Sequence, residues 1–375
     1  MEGLRLVGLA QEDPRVPVTG AGAAAKFLLD ALDRRYGLVA RSGVDLSRPQ
    51  KLAIAAATFH PNPERWRTRL HWHRRLSLEA RSRNSARVLR GVDEPFDLVV
   101  QVFGLFHTRG APYVLYLDNT VELSRRHWPE WVDVTGKELE RLYDWERRLY
   151  GEALHVFAQG GPHADSVVEF YGVPRDRTSV VGAGANFDPL PELPRDRPRE
   201  PIVLFVGGDW QRKGGDVLIE AFRALRERLP EARLQVVGTE DAPADEPGVE
   251  VLGRVGDRRR MAEIYASASV FCLPSRYDPY GLSIAEAMAY GLPCVITRVG
   301  ALDEVAIEGE TGLVVPPEDP VGLEAALRRL LEDPDLARRM GRAGRERVER
   351  HQNWDATVER MAPDLERAVR SAGGR

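Results

Sequence analysis

Residues 203–222 place glycines and cations where an apolar run ends and a helical pattern begins. Gly207 and Gly208 close the apolar run, and Arg212 and Lys213 precede the helix. Glycines let the backbone approach a ligand closely, and a helix N-terminus supplies free N–H groups and a positive dipole end. A phosphate group suits this arrangement, although the spacing is not that of a Walker loop. An ordinary strand–helix turn with two solvated cations is the alternative.

Two acids lie near the start of a second predicted helix. Asp278 follows an apolar strand-like run, and Glu286 follows it with seven residues between them. Two carboxylates suit a polyol because they accept hydrogen bonds from vicinal hydroxyls. We expect the N–H groups of residues 280–283 to be unsatisfied and to face a diphosphate or sugar hydroxyls. The alternative is a turn acid and a surface acid, but the apolar helix indicates burial, and a buried glutamate needs a partner.

Composition indicates an ordinary globular protein of roughly two domains. The chain has 375 residues, a net charge of −4, 43% hydrophobic residues and 29% charged residues, which excludes disordered, collagen-like and disulfide-scaffold classes. The charge balance argues against a dedicated nucleic-acid binder. Only four of the 53 basic residues are lysines, and Lys213 is one of them.

The sequence predicts a cytoplasmic location. Residues 1–20 lack the pattern of a secretory signal, and no apolar run approaches the roughly 20 residues of a membrane span. Cys272 and Cys294 lie in apolar runs and are expected to be reduced thiols.

Short apolar runs alternate with periodic segments, which predicts an α/β fold with parallel sheets and covering helices. The predicted strands are Leu4–Leu9, Leu52–Ala56, Asp97–Val102, Tyr113–Leu117, His155–Ala158, Ser179–Val181, Ile202–Val206, Arg233–Val237, Ser269–Leu273, Pro293–Thr297 and Gly312–Val315. The predicted helices are Gly22–Arg34, Pro63–Leu89, Lys137–Tyr150, Gly215–Leu229, Arg258–Ala266, Leu282–Tyr290, Val321–Leu331 and Asp335–His351.

Proline-rich residues 191–200 predict a hinge, because prolines interleaved with charges form neither a helix nor a central strand. This gives an N-terminal domain of residues 1–190 and a C-terminal domain of residues 201–352. Residues 353–375 are expected to pack back on the first domain.

Residues 203–351 resemble the C-terminal domain of glycosyltransferase family 4, a retaining family with the GT-B fold. The resemblance is carried by DPYGLSIAEAMAYGLP, which begins at Asp278 and contains Glu286, and by the segments 249–275 and 299–319. The N-terminal half resembles the family more loosely, through residues 13–32 and 143–187.

The resemblance implies two Rossmann-like domains facing each other across a cleft. It also implies transfer of a hexose from a UDP- or GDP-sugar to a glycan or lipid-linked acceptor, with retention of anomeric configuration, in polysaccharide biosynthesis. The donor would lie mainly on the second domain and the acceptor on the first. No metal or other cofactor is expected, since cations and a helix N-terminus stabilise the leaving diphosphate in such enzymes.

By the same resemblance, Lys213 would neutralise the leaving diphosphate, Glu286 would bind the ribose hydroxyls, and Asp278 with the amides after it would hold the transferred sugar. The full catalytic set is Lys213, Arg212, Asp118 and Asp278. The donor-binding set is Gly20, Gly22, Gly207, Gly208, Arg254, Tyr280, Gly281, Leu282 and Glu286.

Three departures from the family pattern stand out. Gly208 occupies the place of a usual arginine, for which Arg212 could substitute from a shifted position. Asp278 replaces a usual glutamate. Asp118 ends YVLYLD in the region where many relatives carry a histidine near the acceptor. It would orient the acceptor hydroxyl or the donor sugar, or else cap the following turn through residues 119–120.

Gly208 and Asp278 keep open a second function, a catalytically silent GT-B subunit that binds glycan or supports an active partner. A GT-B sugar-nucleotide epimerase or a phosphorylase is a third alternative, of which the phosphorylase is disfavoured because no lysine lies in a pyridoxal context. A nicotinamide dehydrogenase is disfavoured because no strand leads into G-x-G-x-x-G. Asp333-Pro334-Asp335 resembles a metal-binding pair, but its position before a helix indicates capping.

Residues 64–90 form a basic segment rich in arginine, with interleaved tryptophan and leucine. A basic amphipathic helix could dock on anionic lipid or on an acidic acceptor, which would make the protein peripheral on the inner face of a membrane. A solvated helix on the outside of the first domain is the alternative.

Overall fold

The computed structural model describes residues 4–15, 21–61, 74–193 and 200–373. The chain forms two compact units, Met1–Gly182 with Thr357–Arg375, and Ala183–Ala356. The second unit therefore begins at Ala183, before the predicted hinge, and residues 194–199 of that hinge lie outside the described part. In the described residues no helix is both long and apolar enough to cross a lipid bilayer.

The first unit is built on a parallel sheet whose described strands run in the order β2-β1-β3-β4-β5-β6. These strands are β1 (Leu6–Ala10), β2 (Ala40–Gly43), β3 (Leu98–Val102), β4 (Tyr113–Leu117), β5 (Val156–Ala158) and β6 (Thr178–Val180). Strands β1, β3, β4 and β5 are buried along their whole length, as expected for a parallel sheet that is covered on both faces.

The covering helices of the first unit are α1 (Ala21–Tyr36), α2 (Arg48–Ala57), α3 (Arg75–Arg90), α4 (Val121–His127), α5 (Lys137–Glu152) and α6 (Gly161–Asp165). Shorter turns lie at Pro129–Trp131, Ser166–Phe170 and Arg175–Arg177. One core cluster joins the sheet to residues of these helices, among them Leu89, Leu149 and Ala164.

The predicted strand Leu52–Ala56 is wrong, because these residues lie inside helix α2. Ser47 caps that helix and forms a capping box with Gln50. The capping box starts a helix at this point, so the apolar residues that follow are helical rather than extended. The strand at this place in the sheet is β2, whose short sequence ARSG carries no apolar alternation.

The basic segment is helical over α3, while residues 62–73 lie outside the described part. Arg81 on this helix is only 5% exposed, so one face of α3 packs into the first unit. The other face of α3 is exposed, which agrees with a solvated helix on the outside of the first unit.

The second unit repeats the architecture, with its described strands in the order β12-β11-β10-β7-β8-β9. The strands are β7 (Ile202–Val206), β8 (Arg233–Val237), β9 (Val249–Gly253), β10 (Val270–Leu273), β11 (Cys294–Thr297) and β12 (Gly312–Val315). The helices are α7 (Gly215–Arg228), α8 (Arg258–Ser267), α9 (Leu282–Ala289), α10 (Leu302–Val305), α11 (Pro320–Glu332), α12 (Pro334–Arg350) and α13 (Trp354–Gly373). From Thr357 onward α13 belongs to the first unit.

Each sheet has a point where the strand order reverses. In the second unit the chain runs outward from β7 through β8 to β9, and then returns to the other side of β7 as β10. Open parallel sheets bind ligands outside the carboxyl ends of the strands at such a point. The loops that follow β7 and β10 are therefore the expected ligand-binding loops of this unit.

Candidate active site

Lys213 and Asp278 form an ion pair between the loops that follow β7 and β10. Their side chains are only 12% and 9% exposed, so both charges are largely withdrawn from water. Burial alone would raise the pKa of Asp278. The nearby positive charges of Lys213 and Arg212 outweigh burial and lower this pKa, which keeps the carboxylate ionised. The two residues singled out in the sequence thus meet at the reversal point of the sheet.

Gly214 brings the two loops together. Its φ of +69° lies in the left-handed region, and a Cβ at this position would stand 1.9 Å from the carbonyl oxygen of Pro274. Only glycine meets both demands without strain. The backbone turn that ends at Gly214 therefore positions Lys213 next to Asp278.

Arg212 is tied down beside this pair. Its Nε donates to Asp209 Oδ2 at 3.1 Å, and its Nη1 donates to the carbonyl oxygen of Tyr277 at 2.8 Å. It lies close enough to Asp278 to contribute to the lowered pKa of that carboxyl. The loops at this edge thus hold two cations, Arg212 and Lys213.

Asp278 also caps the start of α9. Its Oδ1 accepts hydrogen bonds from the N–H of Gly281 at 3.0 Å and of Tyr280 at 3.3 Å. The expectation that these two N–H groups are unsatisfied is therefore wrong, because the acid that precedes them occupies them. Within the described residues, the N–H groups of Leu282 and Ser283 in the first turn have no assigned acceptor.

Glu286 lies on α9 and is partly buried among polar partners. Its Oε1 accepts from Asn186 Nδ2 at 3.1 Å, and its Oε2 accepts from the Tyr265 hydroxyl at 3.3 Å. Burial raises the pKa of Glu286 to about 7, against the effect of these two hydrogen bonds. The sequence predicts that a buried Glu286 needs a partner, and the structure gives it two, Asn186 and Tyr265.

Sequence reasoning did not identify Asn186 and Tyr265. Asn186 Oδ1 is buried and has no hydrogen-bond partner in the described part of the chain. A buried amide oxygen without a donor is uncommon in folded proteins and marks a position where a ligand hydroxyl could donate. The segment GANF around Asn186 carries no local pattern that signals this role.

The other predicted donor-binding residues of the second unit lie at the same edge of the sheet. Gly207 and Gly208 follow β7, and Arg254 follows β9 and is exposed. A Cβ on Gly207 would lie 3.0 Å from the Lys213 side chain, so this glycine gives the lysine room. Gly208 is exposed and has no such contact closer than 3.5 Å.

The remaining predicted residues belong to the first unit. Gly22 lies in the first turn of α1, and Gly20 lies outside the described residues. Asp118 directly follows β4. The helix α4 that follows is capped by Thr120, whose hydroxyl accepts from the N–H of Leu123 at 3.1 Å. The role of Asp118 stays a prediction.

Asp333 caps α12 by accepting from the N–H of Leu336 at 2.9 Å, which confirms the capping interpretation of Asp333-Pro334-Asp335. Across the described ranges there is no group of three or more His, Cys, Asp or Glu side chains that could hold a metal ion.

Residues 200–333 match the family model "Glycosyl transferases group 1". The second unit therefore carries a glycosyl transferases group 1 domain, which confirms the relationship predicted from DPYGLSIAEAMAYGLP. Assignment to family 4 itself stays a prediction.

Curated relatives match a large part of the chain. D-inositol 3-phosphate glycosyltransferase from Nocardia farcinica is 32% identical over 222 residues, covering 52% of this chain and 49% of that protein. Glycogen synthase from Mycobacterium tuberculosis is 31% identical over 238 residues, covering 60% of this chain and 57% of that protein. The matched region thus spans about half of the length of these relatives.

Solved structures share the fold over nearly the whole chain. Sucrose-phosphate synthase from Thermosynechococcus elongatus has a TM-score of 0.69 at 23% identity and covers 98% of this chain and 100% of that one. Anabaena HepE in complex with UDP and glucose has a TM-score of 0.67 at 16% identity and covers 97% of this chain and 100% of that one. With two parallel six-stranded sheets, this likeness confirms the predicted GT-B fold.

Proposed function

We propose that this chain, which carries a glycosyl transferases group 1 domain, transfers a hexose from a nucleotide-sugar donor to a hydroxyl of a glycan or lipid-linked acceptor. The observation that carries the proposal is the meeting of Lys213, Arg212 and Asp278 at the reversal point of the second sheet. The match of residues 200–333 to the family model supports it independently.

Lys213 and Arg212 would stabilise the diphosphate that leaves when its bond to the anomeric carbon breaks. Preorganised positive charge in a site of low water content acts strongly on such developing negative charge. Asp278 holds Lys213, so a bound diphosphate would compete with Asp278 for the ammonium group.

Glu286 and Asn186 would bind the ribose. The carboxylate of Glu286 and the unpartnered Oδ1 of Asn186 are acceptors, and vicinal hydroxyls are donors. Tyr265 orients the glutamate from the other side. This pairing extends the role that the resemblance gives to Glu286 alone.

We further propose that transfer proceeds with retention and without a metal, and that the donor is a UDP- or GDP-hexose. Retention would be tested by the anomeric configuration of the product in NMR spectra. Metal independence would be tested by nucleotide release in excess EDTA, where unchanged turnover is expected and loss of turnover that Mg²⁺ restores would contradict the proposal.

The competing function is a catalytically silent subunit, which Gly208 and Asp278 keep open. A thermal-shift panel of UDP, GDP and their sugars, followed by nucleotide-release assays, separates the two. A stabilising shift with one nucleotide and release of it from the matching sugar are expected. A shift without release, in the presence of every acceptor tried, would favour the silent subunit.

Peripheral membrane contact through residues 64–90 stays a prediction. Flotation with liposomes that contain anionic lipid would test it at low and high salt. Co-flotation that high salt abolishes is expected from a basic surface, and absence of co-flotation at low salt would end the idea.

A further inference from the structure

Arg276 lies in the loop that follows β10, shortly before Asp278, and the proposed function gives it no role. Its side chain is 23% exposed and reaches two acids at once. Nη1 and Nη2 donate to the two oxygens of Asp216 at 2.6 and 2.8 Å, and Nε lies 2.6 Å from Glu318 Oε1. The guanidinium therefore joins the loop after β10 to the first turn of α7 and to the loop that follows β12.

The guanidinium offers a pair of donors to each acid. Glu318 Oε2 also accepts from Nη2 at 3.1 Å, so both carboxylates face neighbouring N–H groups. A planar guanidinium presents such pairs in a fixed fork, whereas the ammonium group of a lysine does not. The hydrogen bonds from Arg276 hold the pKa of Asp216 below its ordinary value, which keeps that carboxylate ionised. The shape of an arginine thus fits this place between two acids.

The same residue holds the two carbonyl groups that precede Lys213. Arg276 Nη1 donates to the carbonyl oxygen of Gln211 at 2.6 Å, and the N–H of Arg276 donates to that of Arg212 at 2.9 Å. Because Asp216 is bound on the other side, the turn that carries Lys213 is fastened at both of its ends. The position of the ammonium group therefore depends on Arg276.

Glu318 has an unusual backbone conformation where it contacts Arg276. Its φ of +59° lies in the left-handed region, which residues with a Cβ rarely adopt. Such strain persists only where the surrounding contacts fix it, and it is concentrated near functional sites. The Arg276 guanidinium is one of these contacts, and it links the strained residue to the turn that carries Lys213.

Arg298 provides a comparison with an ordinary ion pair at the same edge of the sheet. It follows the neighbouring strand β11 and pairs with Asp303 at 2.7 Å, but it is 62% exposed. Exposed pairs of this kind contribute little to stability. Arg276 differs from Arg298 in its burial, in its two acids and in its bond to a carbonyl oxygen of the Lys213 turn.

We propose that Arg276 is a positioning residue of the nucleotide-sugar site, which holds the Lys213 turn so that the ammonium group meets the diphosphate of the donor. Arg276 acts through Lys213 and does not itself contact the donor. The proposal rests on the proposed function and adds to it a residue outside the sets predicted from the sequence.

Isothermal titration of nucleotides into the full chain tests this role, because a diphosphate offers Lys213 more negative charge than the matching monophosphate. The probes are UDP with UMP, and GDP with GMP. We expect the wild type to prefer one diphosphate over its monophosphate. Arg276→Gln should lower the affinity for that diphosphate about tenfold, and that for the monophosphate by less than about twofold. An equal loss for both nucleotides would indicate a purely structural role and overturn the proposal.

A double-mutant cycle tests whether Arg276 acts through Lys213. Effects of residues that depend on one another are not additive, whereas those of independent residues are. In a Lys213→Ala background, the further change Arg276→Gln should alter the diphosphate affinity by less than about twofold. A further loss of about tenfold would show that the two residues act independently and would contradict the proposal.

Arg298→Gln is the matched control, because it removes the arginine of an ion pair in the loop after the next strand of the sheet. Its affinities for all four nucleotides should equal those of the wild type. Arg276→Lys serves if Arg276→Gln does not fold. It keeps the charge but loses the fork, so the diphosphate affinity should fall at least about threefold. Wild-type affinity in Arg276→Lys would overturn the proposal.

The wild-type titrations separate this inference from the proposed function. Absence of binding by all four nucleotides would refute the proposed function. Nucleotide binding without a preference for the diphosphate, or a preference that Arg276→Gln leaves unchanged, would refute the positioning role alone and leave the proposed function standing.

Discussion

Two glutamates in this protein share a raised pKa but occupy opposite kinds of surroundings. Burial raises the pKa of Glu146 in the first unit and of Glu286 in the second to about 7. Glu146 is 1% exposed, whereas Glu286 retains partial exposure. A raised pKa therefore does not by itself identify a functional acid, because structural networks also perturb titration.

The hydrogen bonds separate the two. Glu146 accepts from the hydroxyls of Tyr150 and Tyr171 and from the N–H of Val121, so both of its oxygens are occupied inside the core. Glu286 has two longer side-chain bonds and a neighbour, Asn186, whose Oδ1 lacks a partner among the described residues. Glu146 fastens α4 and α5 together, and Glu286 has capacity left for a ligand.

The largest expected effect is on turnover. Glu286→Gln should abolish detectable nucleotide release from the donor sugar, since in the proposed ribose contact an uncharged amide with one acceptor oxygen replaces a carboxylate with two. Glu146→Gln should retain activity once folded. Initial rates of both variants at saturating acceptor test this, and near-normal turnover by Glu286→Gln would remove it from the site.

Lys213→Ala should lower kcat by roughly 10²–10³, on the scale of removing one donor that stabilises a developing negative charge. It also leaves Asp278 without its ion-pair partner. Lys137→Ala is the matched control, because Lys137 is an exposed residue at the start of α5. Steady-state kinetics should show no change in that control, and an equal loss in both variants would point to a general defect.

Lys213→Arg should have a smaller effect, about a tenfold loss of kcat, because a planar guanidinium is bulkier than an ammonium group. The lysine is 12% exposed and lies against Gly207, which leaves little room. The ratio of the kcat values of Lys213→Arg and Lys213→Ala measures how far a cation of another shape can replace the lysine. Equal kcat values for these two variants would show that the compact ammonium is essential.

The last prediction concerns stability rather than turnover, and it involves Glu146. Its folded-state pKa of about 7 lies above the ordinary 4.5, so its protonated form is favoured in the folded state. Below about pH 4.5 this preference therefore adds up to about 3 kcal/mol to the free energy of unfolding. That stabilisation is lost as the pH rises through 7. Urea unfolding from pH 5 to 8 should show this loss in wild type and a smaller one in Glu146→Gln. Parallel curves for the two proteins would contradict it.

Much of the site was accessible from the sequence because it is encoded in two short loops. Lys213 follows a strand and precedes a helix, and Asp278 and Glu286 flank a helix start, so local patterns place all three. The sequence pattern does not show that the Asp278 carboxylate pairs with Lys213 and accepts from the N–H of Gly281, because these contacts depend on how the two loops pack.

Residues that reach the site from distant segments escaped prediction. Asn186 and Tyr265 lie 100 and 21 positions from Glu286. Both fall in segments that resemble the family, 143–187 and 249–275, but no charge or spacing there singles out either residue.

Most of the strands were predicted, but β2 and β9 (Val249–Gly253) were not. Strand β2 reads ARSG, while the apolar run next to it belongs to α2 because of the Ser47 cap.

The central claim is that Glu286, unlike Glu146, forms part of a nucleotide site in the second unit. Isothermal titration of UDP and GDP into wild type, Glu286→Gln and Glu146→Gln tests it most directly. We expect one nucleotide to bind wild type and Glu146→Gln with equal affinity, and to bind Glu286→Gln at least about tenfold more weakly, the equivalent of one lost charged hydrogen bond. Equal affinity of all three proteins would contradict the account.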